Sequence, residues 1–167
     1  MADQTLRPGF RFAPTDEELI NYYLKPKVLG EEYPLDVIQE IDVTNFEPWD
    51  LLGESRECYY FTSLDKKYIN GKKTNRTTRN GFWKTTGRDT PIRSNGQVVG
   101  TRKILVFHRG RSKDKKRTNW VMHEFSLGQT TQVRKLKYSD FDYAWRRYCF
   151  NMNIVRCFRC VGCRIHL

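Results

Sequence analysis

The stretch "NGFWKTTGRDTPI", residues 80–92, gathers Trp83, Lys84, Thr85, Thr86, Gly87 and Arg88 beside a single acid, Asp89. Side chains of these types suit recognition rather than bond-making. Lysine and arginine can donate to guanine O6 and N7, a threonine methyl packs on the thymine methyl, and glycine lets a backbone come close. Laid out as a strand, Phe82, Lys84, Thr86 and Arg88 share one face and Trp83, Thr85, Gly87 and Asp89 the other. Neither face is apolar enough for a core. The pattern suits an edge strand braced by Trp83 and presented to a wet, negatively charged groove. An exposed edge whose charges only prevent aggregation fits the same residues.

A second concentration of reactive side chains lies near the C-terminus, where Cys157, Cys160, Cys163 and His166 follow at steps of three. Four soft ligands so close could hold a metal, but the run lacks the gap between ligand pairs of structural zinc sites, and the context of iron–sulfur motifs is missing. No metal is assigned, and residues 151–167 read as an atypical Cys- and Arg-rich tail beyond a domain spanning 1–150. For catalysis the chain offers His108, His123 and Cys58, with no nucleophile or metal motif around them. No enzyme activity, cofactor or small-molecule substrate is expected. His123 beside Glu124 reads as a structural pair, and Trp120 and Met122 as core.

Charge supports the polyanion reading. Residues 1–58 hold 5 basic and 13 acidic side chains, whereas residues 59–167 hold 25 basic and 6 acidic. Between Lys66 and Arg117 there are 17 basic residues against Asp89 and Asp114. Such a division points one half of the molecule at nucleic acid.

The elements that must position these side chains follow from pattern. At 167 residues, 38% of them hydrophobic, the chain can bury one substantial core. Its N-terminus has no apolar signal region and no stretch is long enough to span a membrane, so a soluble intracellular protein with reduced thiols is expected. "PTDEELINYYL" predicts a helix capped by Thr15 with Glu18 closing a capping box, and Leu19, Tyr22 and Tyr23 on one face. "YPLDVIQEIDVTNFEPWDLL" predicts one or two short helices, Leu35, Ile38 and Ile41 inward, with Pro48 entering a last turn. "ECYYFTSL", "NGFWKTTG", "QVVGTRKILVFHRG" and "RTNWVMHEFSL" then read as strands of an antiparallel sheet. Helices first and strands after give an α+β domain.

Six blocks carry a family resemblance: "LRPGFRFAPTDEELINYYL", "IDVTNFEPWDL", "YYFTSLDKKYINGKKTNRTT", "GFWKTTGRDTPI", "GTRKILVFHRG" and "TNWVMHEFSL". In order and spacing they resemble the plant NAC domain over residues 6 to about 127. The resemblance implies a twisted antiparallel β-sheet packed between N-terminal helices and a short helix. It further implies dimerisation through the N-terminal segment, as a homodimer or with related NAC proteins, and sequence-specific binding of double-stranded DNA in the nucleus. Family target sites carry a CGT or CACG-type core.

Carried over, the family's groove strand falls on Trp83 to Asp89, so Lys84, Thr85, Thr86, Gly87 and Arg88 are expected at base edges, with Arg76 as a further base or phosphate contact. Lys72, Lys73, Arg79, Lys103, Arg109, Lys113, Lys115, Lys116 and Arg117 are expected at phosphates, orienting rather than specifying. The run through Arg117 also has the composition of a nuclear-import signal. Thr85 stands where the family more often has alanine, and Arg79 where it has a small residue. At the interface, Leu6 is expected to pair with its mate while Arg11 and Glu18 form ion pairs across it. Family members continue into a long regulatory region. A chain that stops here could also act as a truncated form that dimerises with full-length relatives and inhibits them. The match weakens at the C-terminal end, where the family's cysteine-arginine-isoleucine triplet appears only at Cys163–Ile165.

Overall fold

The computed structural model describes residues 11–31, 37–52, 56–63, 74–110, 114–128 and 152–159. Leu6, Leu35, Lys72, Lys73, Lys113, Cys160, Cys163 and His166 lie outside the described residues.

Helix formation begins at the expected capping box. The Glu18 amide donates to Thr15 Oγ1 at 3.2 Å and the Thr15 amide donates to the Glu18 carboxylate at 2.7 Å, opening α1 (Asp16–Glu18). The backbone then widens into a π-helical stretch, Leu19–Leu24, before α2 (Lys25–Leu29). Pro26 supplies a physical reason: in a regular helix its ring would collide with the Tyr22 carbonyl, and a wider turn just ahead relieves the conflict. Widening also changes which residues face inward. Leu19, Ile20 and Leu24 are buried whereas Tyr22 is 67% exposed, which corrects the expected Leu19–Tyr22–Tyr23 stripe.

The next stretch, expected as helices, is partly extended. Gln39–Glu40 form β1, Val43–Asn45 a single 3-10 turn capped by Asp42, and only Pro48–Leu52 an α-helix, α3. The β-branched residues Val37, Ile38, Ile41 and Val43 favour extended backbone. Pairing supplies the hydrogen bonds, as where the Ile41 amide donates to the Phe61 carbonyl at 2.9 Å.

Five longer strands complete a twisted, six-stranded sheet: β2 (Glu57–Ser63), β3 (Gly81–Ser94), β4 (Gln97–Arg109), β5 (Lys116–Leu127) and β6 (Met152–Arg159). Their order is β1-β2-β6-β5-β4-β3. The β1–β2 pairing is parallel and the rest antiparallel, so the sheet is mixed rather than antiparallel throughout. With its short helices it remains an α+β arrangement.

Strand β6 falls in the segment expected to be a tail. Instead of lying outside the domain, Met152–Arg159 runs between β2 and β5. Each of its faces carries buried apolar residues, Met152 and Ile154 on one and Val155 and Cys157 on the other, as a doubly covered strand requires. Met152 and Ile154 join Leu19, Ile20, Leu24, Phe61 and Phe125 in one core, while Val155 and Cys157 join Leu51, Leu52, Trp83, Phe107 and Met122 in another. Cys157 is therefore a fully buried core thiol. Among the described residues no group of three or more metal-binding side chains converges.

Candidate nucleic-acid interface

Strand β3 is the outer edge of the sheet, paired on one side with β4. Its first residues are held from both sides. The Trp83 amide donates outward to the Arg76 carbonyl at 2.8 Å, and the Thr78 amide to the Gly81 carbonyl at 2.9 Å. Gly81 is required by space: a β-carbon there would lie 2.2 Å from the His108 carbonyl oxygen. Trp83, 4% exposed, packs edge-on against Phe107 at 5.1 Å. Its indole N–H has no partner among the described residues, and the ring braces the strand through packing.

Beyond Trp83 the edge opens. Lys84, Thr85, Gly87, Arg88 and Asp89 are exposed and Thr86 is half-buried. Pairing runs regularly from Gly81↔Arg109 to Thr86↔Ile104, then resumes only at Thr90↔Arg102. Gly87, Arg88 and Asp89 thus bulge opposite a single β4 residue, Lys103. Gly87 takes φ +72° with open space around it, a conformation glycine adopts without steric cost. Bulges re-aim side chains, and the simple two-face alternation expected for Phe82 to Asp89 ends here. Lys84 and Arg88 make no ion pair or side-chain hydrogen bond with any described residue.

Two buried carboxylates fix the approach to this edge. Glu47, 6% exposed, accepts from Thr78 Oγ1 at 2.9 Å and from the Asn80 amide at 2.8 Å. The Gly110 amide closes the same turn by donating to the Asn80 carbonyl at 2.7 Å. Glu124, 5% exposed, is gripped by Arg76, whose Nε and Nη2 donate at 3.0–3.1 Å. Arg76, expected at a base or phosphate, is thus turned inward as a brace. The expected His123–Glu124 pair does not form either, because neighbours on a strand point to opposite faces. His123 packs against the rings of Phe125 and Phe158, with Nδ1 unpartnered among the described residues. Burial, helped by the nearby Arg102 and Arg156, lowers its pKa to about 4. Met122 is buried as expected, and Trp120 is partly so.

The expected phosphate contacts divide. Arg79 and Arg109 are exposed beside the start of β3, and Lys115, Lys116 and Arg117 are exposed where β5 begins. Register places Arg109 between Gly81 and Lys116, so these cations share one end of the sheet. Arg109 also lies over the Trp49 ring at 5.8 Å. Lys103 is partly neutralised by Asp89 at 3.1 Å. Arg102, which no motif singled out, is held by Asp16 at 2.6 Å.

At the N-terminal end, Arg11 pairs within its own chain, with Glu57. Glu57 also receives Arg156 at 2.6 Å. Burial pushes the Glu57 carboxyl up, but hydrogen bonds from Arg156 and Arg11 outweigh it and leave its pKa lowered. Glu18 is occupied by Thr15, whose amide and hydroxyl hold its pKa down.

Sheet, helices and edge together define an α+β protein that presents one long, bulged, cationic strand. The family model described as No apical meristem (NAM) protein matches residues 7–127. NAC domain-containing protein 78 of Arabidopsis thaliana is 54% identical over 129 residues, which are 74% of this chain and 23% of that protein. NAC domain-containing protein 45 of Arabidopsis thaliana is 51% identical over 136 residues, 78% of this chain and 28% of that protein. NAC domain-containing protein 54 of Oryza sativa subsp. japonica is 49% identical over 135 residues, 77% of this chain and 21% of that protein. The chain belongs to the NAC (No apical meristem) family. It spans about a quarter of the length of these relatives. No helix among the described residues is long and apolar enough to cross a membrane.

Proposed function

We propose that this chain is a plant transcription factor that binds double-stranded DNA sequence-specifically, inserting the edge of β3 between Lys84 and Arg88 into the major groove. The observation that carries this is the state of that edge: Lys84 and Arg88 stand exposed and unpaired among the described residues, on either side of Gly87 at the head of a bulge. A free cation on a rigid strand can donate to guanine at no cost in broken ion pairs. Arg79, Arg109, Lys115, Lys116 and Arg117, with Lys72, Lys73 and Lys113, supply phosphate contacts, and Arg76 positions the strand. Family membership supports a nuclear site of action, a CGT or CACG-type core, and assembly as a homodimer or with related NAC proteins through Leu6, Arg11 and Glu18. In that assembly Arg11 exchanges or shares Glu57 with a partner carboxylate.

Competition binding against a CACG-core duplex and a scrambled one tests the reading. Lys84→Ala and Arg88→Ala should each cost about 1–3 kcal/mol on the core duplex and much less on the scrambled one, at unchanged melting temperature. Equal losses on both duplexes would reduce the edge to one more phosphate-binding surface.

A further inference from the structure

We propose that Cys58 and Cys157 form a reversible disulfide between β2 and β6 when the chain meets a hydroperoxide. The two residues are direct cross-strand partners in the antiparallel β2–β6 pairing, both on the face of the second core. Opposed antiparallel residues stand about 4.5–5.5 Å apart at Cα, within the roughly 4.4–6.8 Å that a disulfide bridges. Both are free thiols, and Cys58 Sγ already lies 3.9 Å from the Cys157 carbonyl oxygen. The register of the two strands is thus the one a cross-strand disulfide requires.

Their environments differ in a way that orders the chemistry. Cys58 is half-buried and Cys157 fully buried. A hydrogen bond from the Cys157 thiol, outweighing burial, lowers the Cys58 pKa. The same contact, together with burial, raises that of Cys157. Cys58 is thus the thiolate that meets the oxidant. Its sulfur attacks one peroxide oxygen, the S–O bond forms as the O–O bond breaks, and the departing hydroxide takes up a proton to leave as water. Cys157 sulfur then attacks the Cys58 sulfenic acid, the S–S bond forms as the S–O bond breaks, and a second water leaves with the Cys157 proton. Two thiols and one hydrogen peroxide become one disulfide and two waters. The bridge ties positions 99 residues apart in sequence.

The full chain can be reduced, treated with hydrogen peroxide, blocked with N-ethylmaleimide in denaturant and digested with trypsin without reduction. Cleavage at Arg156 and Arg159 separates Cys157 from Cys160 and Cys163. The expected product is the Cys58 peptide joined to the Cys157 peptide, two hydrogens lighter than the pair and released by dithiothreitol. The melting temperature of the oxidised chain should rise by roughly 5–10 °C, with no rise in Cys58→Ser. Recovery of both cysteines as maleimide adducts would overturn the proposal. So would linkage of Cys58 to Cys149, Cys160 or Cys163, accumulation of Cys58 sulfinic acid, or a melting shift that persists in Cys58→Ser. Should Cys58→Ser fail to fold, the peptide map of the unaltered chain decides.

Discussion

The sheet has two edges, and they are finished in opposite ways. One is β1, two residues long, with Glu40 tied to Lys27 at 3.0 Å. The other is β3, fourteen residues long, with most side chains exposed. An unpaired strand edge invites a second chain, and proteins discourage this by shortening the edge, charging it or bulging it. The first edge is shortened, while the second is charged and bulged yet left long. A long edge that is charged and bulged in this way fits the polyanion partner of the proposed function. What makes such an edge usable lies behind it, where Glu47, Glu124 and Trp83 hold the strand in place.

Breaking the brace should have the largest effect. Arg76→Ala leaves the buried Glu124 carboxylate unpaired and should destabilise the fold by about 3–5 kcal/mol, measured by urea unfolding. The double change Arg76→Met with Glu124→Leu should recover most of that loss. If Arg76→Ala weakens DNA binding without changing stability, Arg76 touches the DNA and is not a brace.

Trp83→Ala should cost a similar or slightly smaller amount, about 3–5 kcal/mol, by opening a cavity against Phe107. Trp83→Phe should cost much less, since the indole N–H makes no bond among the described residues. Binding should fall in step with stability in both, unlike the losses at Lys84 and Arg88. A Trp83→Ala variant that melts normally would make the ring a reader rather than a support.

A smaller effect separates the interior of the sheet from its edge by pH. The unfolded imidazole of His123 takes up a proton near its ordinary pKa of about 6.5, whereas the folded one resists until about 4. Between these values the unfolded chain binds more protons, so stability is lost as pH falls from 6.5 toward 4, with no contribution above. The loss is at most about 3 kcal/mol and less for the solvent the ring still meets. His123→Gln should flatten this part of the profile relative to the unaltered chain in denaturant unfolding at a series of pH values. Parallel profiles would show that His123 is protonated freely in the folded state.

The smallest effect on stability belongs to the exposed end of the sheet. Replacing Lys115, Lys116 and Arg117 together by alanine should change stability by no more than roughly 0.5 kcal/mol per site. Binding to every duplex should weaken alike, and the slope of log affinity against log salt should fall by about 0.9 for each phosphate no longer neutralised. An unchanged slope would remove these cations from the interface.

The sequence shows the edge more clearly than its supports. Charge and strand pattern locate residues 81–89, because exposed side chains obey local rules of composition and period. The inward turn of Arg76 is not legible in the same way. An arginine in a basic run looks alike whether it meets a phosphate or Glu124, 48 residues away. Similarly, the π-helical widening before Pro26 moves Tyr22 outward although the 3.6-residue period places it inside, and only the proline hints at it. Strand β6 is hidden for another reason. Cys157 opens a run of cysteines at steps of three that points to ligand spacing, while the apolar pairs Ile154–Val155 and Cys157–Phe158 are too brief to announce a strand covered on both faces.

The position of β6 has a consequence for the order of events as the chain is made. Glu57 of β2 and Arg156 of β6 meet across 99 residues, so at about 5–20 residues per second the inner side of β2 waits some 5–20 s for its partner. Strand β5, finished earlier than β6, waits too. During that interval β2 and β5 each carry an open row of amides and carbonyls that could pair with each other out of register or with another nascent chain. Among the described strands, the one latest in the chain fills the middle, and its arrival converts two provisional halves into one sheet.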